Sequence, residues 1–230
     1  MTKTILIKKT GAGRRPKQQR AVMDSRSAIL AGARGVFAQK GYDGTSMREV
    51  ADAAGVNNAM IYYHFDDKRE LYRAVLLDSF SELERIWERD IFRKDVPVRN
   101  KIRVYVDELI RFHQNNEDLR RIIFREFNVC NDNCRWIAEN LFSNTFKNLS
   151  LLLQDGVKNG EIKACDPAFA VPAIVGMVTH IFMVHPVAEH ISGKKQLISI
   201  PRLGSFVTDL FFDGMGIPSP SRSPKKRKLK

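Results

Sequence analysis

Asn58, Tyr62, Tyr63 and His64 place an amide, two hydroxyls and an imidazole within seven residues of one another, side chains able to hydrogen-bond the edges of bases. They read DNA only if an element carries them into a groove, and the surrounding run TSMREVADAAGVNNAMIYYHF, residues 45–65, supplies one. Ile61 and Phe65 share one face of a short helix that Asn57 is placed to cap, so the polar set turns to the other face. The helix before it is expected from about Ser46. Gly44 breaks what precedes, Thr45 or Ser46 offers a capping hydroxyl, and Glu49 can close a capping box with Ser46. Val50, Ala53 and Ala54 form its apolar stripe, Gly55 gives the chain freedom for a sharp turn, and Val56 plugs that turn. Two short helices about such a turn make a helix-turn-helix, whose second member lies in the major groove.

A glycine turn between amphipathic helices also occurs in bundles that bind nothing, and the flanking residues separate the two readings. SRSAILAGARGVFAQKGYDGTS upstream carries Phe37, Ala38, Lys40, Gly41 and Tyr42. The turn reads Ala-Gly-Val, Ile-Tyr-Tyr-His-Phe follows, and DDKRELYRAVL continues with Lys68 and Leu71. Over roughly residues 25–75 this resembles the N-terminal domain of the TetR family of bacterial transcriptional repressors. The resemblance implies that Thr45, Tyr62 and Lys68 touch the DNA backbone and that Arg48, Asn58, Ala59, Met60 and Tyr63 face base edges. Asn58 can then pair with adenine and Arg48 with guanine. Ser46, Asn57 and His64 complete the expected DNA-binding set. Asn57-Asn58-Ala59-Met60 departs from the Ser followed by Gly or Pro frequent in the family, so base preference is not carried over.

Charge is unevenly placed along the 230 residues, whose net charge is +12. Residues 1–23 hold seven cations and no acid, residues 220–230 hold six and no acid, and the 25 cations between them face all 26 acids. A near-neutral body with two basic arms fits a sequence reader assisted by nonspecific phosphate attraction. Gly13-Arg14-Arg15-Pro16-Lys17 can track a minor groove, or be a solubilising tail. PKKRKLK at the end reads as a nonspecific basic tail or as a nuclear-import signal. A nuclear-targeted or chromatin-type DNA-binding protein using these tails is therefore the alternative function.

The chain is 43% hydrophobic, long enough for one or two domains with a core, and no window holds ~18 consecutive apolar residues, so a soluble, cytoplasmic (bacterial, nucleoid-associated) protein with no membrane association is expected. The N-terminus lacks an apolar signal core. Cys130, Cys134 and Cys165 are expected as reduced thiols. Cys130 and Cys134 would share a helix face at i, i+4, but no further ligands stand at metal spacing, so no metal and no cofactor is expected. No GxSxG, GxxxxGK[ST], HExxH or dinucleotide turn is present, and an enzyme is not expected.

Periodicity predicts helices over about Ser25–Gln39, from near Asp67 through Leu71, Val75, Phe80, Leu83 and Trp87, from Pro97 to about Asn115, over Leu119–Asn128, Asp132–Lys158, Asp166 to about His190 across Pro172, and Pro201–Asp213, stopped by Gly214 and Gly216. No period-two alternation is sustained. The expected fold is all-α with about nine helices: a flexible basic arm 1–23, a three-helix DNA-binding domain 24–70, a ligand-binding and dimerisation domain 71–216 and a basic tail 217–230.

The last two helices are apolar nearly all round. Ala168–Ala188, with Gly176 allowing close approach, and Leu203, Phe206, Val207, Leu210, Phe211 and Phe212 offer more apolar surface than one small core covers. A dyad-related four-helix bundle built on Gly176, Phe206, Leu210 and Phe211 fits this and agrees with what the TetR resemblance implies; an internal core is the alternative. Phe112, His113, Phe124, Phe127, Asn128, Trp136, Phe142, Phe146, Met177, His180 and Met183 mix aromatic and polar character and are either ordinary core or the lining of an effector pocket, His180 being the best polar candidate. The expected function is a homodimeric, ligand-responsive repressor of a palindromic operator. The small-molecule effector is not legible.

Overall fold

The structure, a computed structural model, describes residues 17–86, 91, 96–193, 195 and 198–215. Among the described residues the fold is all-α, with nine helices and no strand, as expected. They are α1 (Lys17–Lys40), α2 (Met47–Ala54), α3 (Asn58–His64), α4 (Lys68–Ile86), α5 (Val98–Asn115), α6 (Glu117–Val129), α7 (residues 132–158), α8 (Pro167–Ser192) and α9 (Ile200–Met215). The chain divides into two units between Val75 and Leu76, inside α4.

Several elements differ from expectation. α1 begins at Lys17, well before Ser25, so residues 17–23 of the supposed flexible arm are helical. The run KQQRAVMDSR is built largely of good helix formers. Residues 1–16 and the tail 217–230 lie outside the described residues, as does Trp87. α7 is not uniform: Asp132–Ile137 and Ser143–Lys158 are α-helical, and Ala138–Phe142 between them is π-helical. α9 runs through Gly214, which stops nothing, while Gly216 lies outside the described residues. Cys130 and Cys134 share no helix face. Cys130 closes α6 in the left-handed region (φ 51°) and Cys134 belongs to α7, capped by Asn131.

In the first unit, Ile29, Leu30, Ala33 and Phe37 of α1, Val50 and Ala51 of α2, Ile61 and Phe65 of the α3 region and Leu71, Tyr72 and Val75 of α4 are buried together. Ala53, assigned to the apolar stripe of α2, is exposed, and Ala51 takes its place. Phe37 meets Tyr72 edge-on at 4.9 Å between ring centroids. α1 and α2 approach closely at Gly32, where a Cβ would stand 2.9 Å from the Ala54 nitrogen.

In the second unit α5 is central and buries Ile102, Tyr105, Val106, Leu109 and Ile110. Arg103 binds both oxygens of Asp107 at 2.9 Å and donates to Ser205 Oγ (2.7 Å) and the Pro201 carbonyl (3.0 Å), seating α9 on α5. Val207, Phe211 and Phe212 of α9 are buried, with Arg99 lying over the Phe212 ring. α8 is N-capped by the Asp166 carboxylate, which accepts from the Ala168 N–H at 2.8 Å. Thr179, His180 and His185 interrupt its apolar run. Even so, by length and composition this helix is apolar enough to cross a membrane, with a mean hydropathy of 1.8 in its richest window, and only 28% of that window is buried.

Candidate nucleic-acid interface and ligand cavity

The helix-turn-helix is assembled by caps at each of its ends. Ser46 Oγ accepts from the Glu49 N–H and Glu49 accepts from the Ser46 N–H at 2.9 Å, the reciprocal capping box. The Glu49 carboxyl, hydrogen-bonded first by Lys40 and then by Ser46, is lowered to about 2 and stays ionised. Gly55 ends α2 in the left-handed region (φ 66°), and Val56 returns its N–H to the Ala51 carbonyl. Asn57 then caps α3 through Oδ1 to the Met60 N–H at 2.8 Å. Ile61 and Phe65 are buried beneath α3, so its outer face is set by the same two anchors.

That outer face carries Asn58 and Ala59, both exposed, half-buried Met60, Tyr62 and Tyr63, the tyrosines 52% and 70% exposed. Arg48 and Ser46, on and before α2, are exposed as well. Three expected DNA contacts are placed differently. Thr45 is buried, 3% exposed, with its hydroxyl donated to the Gly41 carbonyl at 2.7 Å. His64 is half-buried and pairs with Ser25 Oγ at 2.8 Å, and burial, then the nearby Arg26 charge, lowers its pKa. It faces α1 rather than joining the polar set, because the seventh helical position has rotated toward the core side. Lys68 is half-buried, its Nζ 3.0 Å from the Thr45 carbonyl and 4.6 Å over the Tyr42 ring, where it ties α4 to the loop that starts α2. Asn57 spends its carbonyl on the cap.

The second unit has a cavity of about 350 Å³ lined by α4, α5, α6, α7 and α8. Phe80 and Leu83 come from α4, and Phe80 packs on Phe112 (5.1 Å) and Phe142 (5.5 Å). The π-helical segment of α7 ends on Phe142, which also meets Phe127 at 5.8 Å. Of the residues expected to line a pocket, Phe112, His113, Phe124, Phe127, Phe142 and Phe146 do so, whereas Asn128, Trp136, Met177 and His180 do not. His180 is exposed on the outer face of α8, and its neighbour Thr179 lines the wall. A one-residue step turns a helical side chain by about 100°, so the polar residue was placed one position off. Thr179 bonds His113 Nε2 at 3.2 Å. His113 is 8% exposed, and burial, then Arg120, lowers its pKa to about 4, so the ring is neutral. Arg120 and Thr145 also line the wall, and nothing in their periodicity distinguishes them from surface positions of α6 and α7.

α8 presents Phe169, Ala173, His180, Met183, Val187 and Ile191 on one exposed stripe that passes over Gly176, where no atom lies within 4 Å of an added Cβ. Phe169 is 77% and Ile191 80% exposed, and Phe206 and Leu210 of α9 are exposed by more than half. Phe211, expected at this face, is instead in the subunit's own core at 6% exposed. Among the described residues no cluster of three or more potential metal ligands occurs.

A capped helix-turn-helix joined to a helical unit with an apolar cavity defines a DNA-binding regulator. Residues 29–75 match the model of bacterial regulatory proteins, tetR family, and residues 95–183 that of the tetracyclin repressor-like C-terminal domain. The HTH-type transcriptional regulator AcrR of Shigella flexneri is 30% identical over 161 residues, 68% of this chain and 71% of that protein. The HTH-type transcriptional activator FasR of Mycolicibacterium smegmatis is 34% identical over 101 residues, 44% of this chain and only 46% of FasR's own length. Among solved structures, FadR from Bacillus subtilis in complex with stearoyl-CoA superposes with a TM-score of 0.67, covering 82% of this chain and 98% of that one, at 21% identity that speaks to fold alone. The chain belongs to the TetR family and is a transcriptional regulator.

Proposed function

We propose that the protein is a dimeric repressor that holds two copies of α3 on a palindromic operator and releases it when a small molecule enters the cavity of the second unit. It acts in a bacterial cytoplasm, where its basic arms add nonspecific affinity for phosphates. Arg48, Asn58, Ala59, Met60 and Tyr63 face the bases, and Ser46, Asn57, Tyr62 and the remaining donors of Lys68 approach the backbone. Thr45 and His64 act by positioning these rather than by contact. The exposed stripes of α8 and α9 pair across a dyad.

One observation carries this reading: α4 serves both units. Leu71, Tyr72 and Val75 build the core under the helix-turn-helix and Lys68 ties its loop, while Phe80 and Leu83 of the same helix line the cavity. A ligand that favours one position of Phe80 biases the position of α4 and with it the spacing of the two recognition helices. A coupling of ~1–3 kcal/mol weakens DNA binding roughly 5–150-fold. The test is selection of bound sequences from a random DNA pool, then transcription from a promoter overlapping the selected site. An inverted repeat and falling transcript levels are expected. A consensus without two-fold symmetry would refute the dimer, and rising transcript levels would make the protein an activator.

A further inference from the structure

The polar groups on the cavity wall are few and unevenly satisfied. Arg120 lines it with one hydrogen bond, from Nη1 to the His113 carbonyl, and with its guanidinium 5.3 Å from the Phe182 ring centroid. The acid that acts on it through space, Glu117, is bound to Arg121 at 2.7 Å. A guanidinium is a planar fork of five donors suited to grip a carboxylate with two of them. His113 is the second group. Its Nε2 meets Thr179, its Nδ1 is buried without a partner, and its ring lies 5.2 Å from the same Phe182. An unpaired buried ring nitrogen is a standing cost that a ligand atom can remove. Because Arg120 grips the carbonyl of His113 itself and both side chains flank Phe182, the two polar groups lie side by side.

We propose that the effector is a monocarboxylate, an apolar body whose carboxylate is held by the Arg120 guanidinium and the His113 Nδ1–H. This rests on the cavity being the effector site. The cavity lining holds one cation, Arg120, and no carboxylate of its own, so one bound carboxylate balances it. The anion selects the tautomer protonated on Nδ1, with Thr179 donating its hydroxyl to Nε2. At the roughly 30 Å³ occupied by a water molecule, the 350 Å³ cavity holds about a dozen non-hydrogen atoms. The aromatic walls formed by Phe80, Phe112, Phe127 and Phe142 take the apolar part.

The test is calorimetric titration of the full chain with three probes of matched length, decanoate, decan-1-ol and decylamine, at low and high salt. Decanoate is expected to bind about tenfold or more tighter than decanol, the worth of a charge-assisted hydrogen bond, with decylamine weakest. Arg120→Met should erase that preference while leaving decanol affinity within about threefold. His113→Phe, a second variant that keeps the volume, should reduce it and leave decanol alike. Equal binding of decanoate and decanol overturns the carboxylate assignment while leaving the cavity as effector site. So does a decanoate preference that survives Arg120→Met and fades with salt, since it then reflects attraction to the net charge of +12. Failure of all three probes to bind overturns both this inference and the reading of the cavity.

Discussion

Phe206 and Phe211 stand five residues apart on α9, and charging each tests opposite things. Phe206 is 59% exposed in the single chain, Phe211 6%. Fully burying a phenylalanine side chain is worth ~1.5–3 kcal/mol, so covering the exposed share of Phe206 at a dyad contributes about 1–2 kcal/mol per subunit and about 2–4 kcal/mol per dimer. Losing it in Phe206→Glu weakens dimerisation roughly 30- to 700-fold at 1.4 kcal/mol per factor of ten, before counting the two carboxylates desolvated near the axis. In the monomer that carboxylate is solvated, and folding should change by no more than ~0.5 kcal/mol. Phe211→Glu instead empties a core position, a loss of ~3–5 kcal/mol, and buries a charge in the space. Against a total stability of ~5–15 kcal/mol, that should unfold the second unit. Sedimentation equilibrium and circular dichroism distinguish the two: Phe206→Glu as a helical monomer with weak, salt-sensitive DNA binding, Phe211→Glu as loss of helix. A Phe206→Glu protein that remains dimeric at the same concentration refutes the placement of the interface on α8 and α9. A folded monomer with undiminished operator affinity refutes the two-half-site mechanism.

Arg48→Ala and Asn58→Ala should each cost ~1–3 kcal/mol at one or two operator positions, measured by competition with single-base operator variants; loss spread evenly over all positions would assign them to the phosphates instead. Gly32→Ala puts a Cβ 2.9 Å from backbone of α2 that cannot swing aside, whereas Gly35 has no atom within 4 Å of such a Cβ. The first should destabilise by ~1–3 kcal/mol and impair operator binding, and Gly35→Ala should stabilise by ~0.4–1 kcal/mol, both read by thermal denaturation. Equal effects would show that α1 and α2 are not in close contact there. His113, neutral in the fold with a pKa lowered from 6.5 to about 4, must take up a proton on unfolding at acid pH. Stability is therefore intact above about pH 6.5, and about 3 kcal/mol is lost as pH falls toward 4, so the urea midpoint of wild type should fall relative to that of His113→Phe over that window. A difference independent of pH would mean that the imidazole titrates normally in the folded state.

The local chemistry of the helix-turn-helix was legible in sequence because each of its decisions is local. Ser46 with Glu49, Gly55 at the turn and Asn57 before α3 act on backbone within four residues, and Ile61 with Phe65 fixes which face of α3 is covered; the structure has all of these. The number and class of the helices were legible for the same reason, through caps and periodicity. What needed the tertiary structure was every choice between faces of an element apolar or mixed all round. On α8 nothing in periodicity says whether Thr179 or His180 turns inward, and the partners on α5 decide it, since His113 reaches Thr179. On α9 the Arg103 and Arg99 contacts from α5 set which phenylalanines enter the core, sending Phe211 in and leaving Phe206 out. Thr45 and Lys68, alike in type to residues that grip phosphate, are engaged within the protein because Gly41 and the α2 loop lie within reach in space. Arg120 acquires its place only when α6 turns back against α5 and its guanidinium meets the carbonyl of His113 across the turn between the two helices, a geometry that helical periodicity alone does not encode.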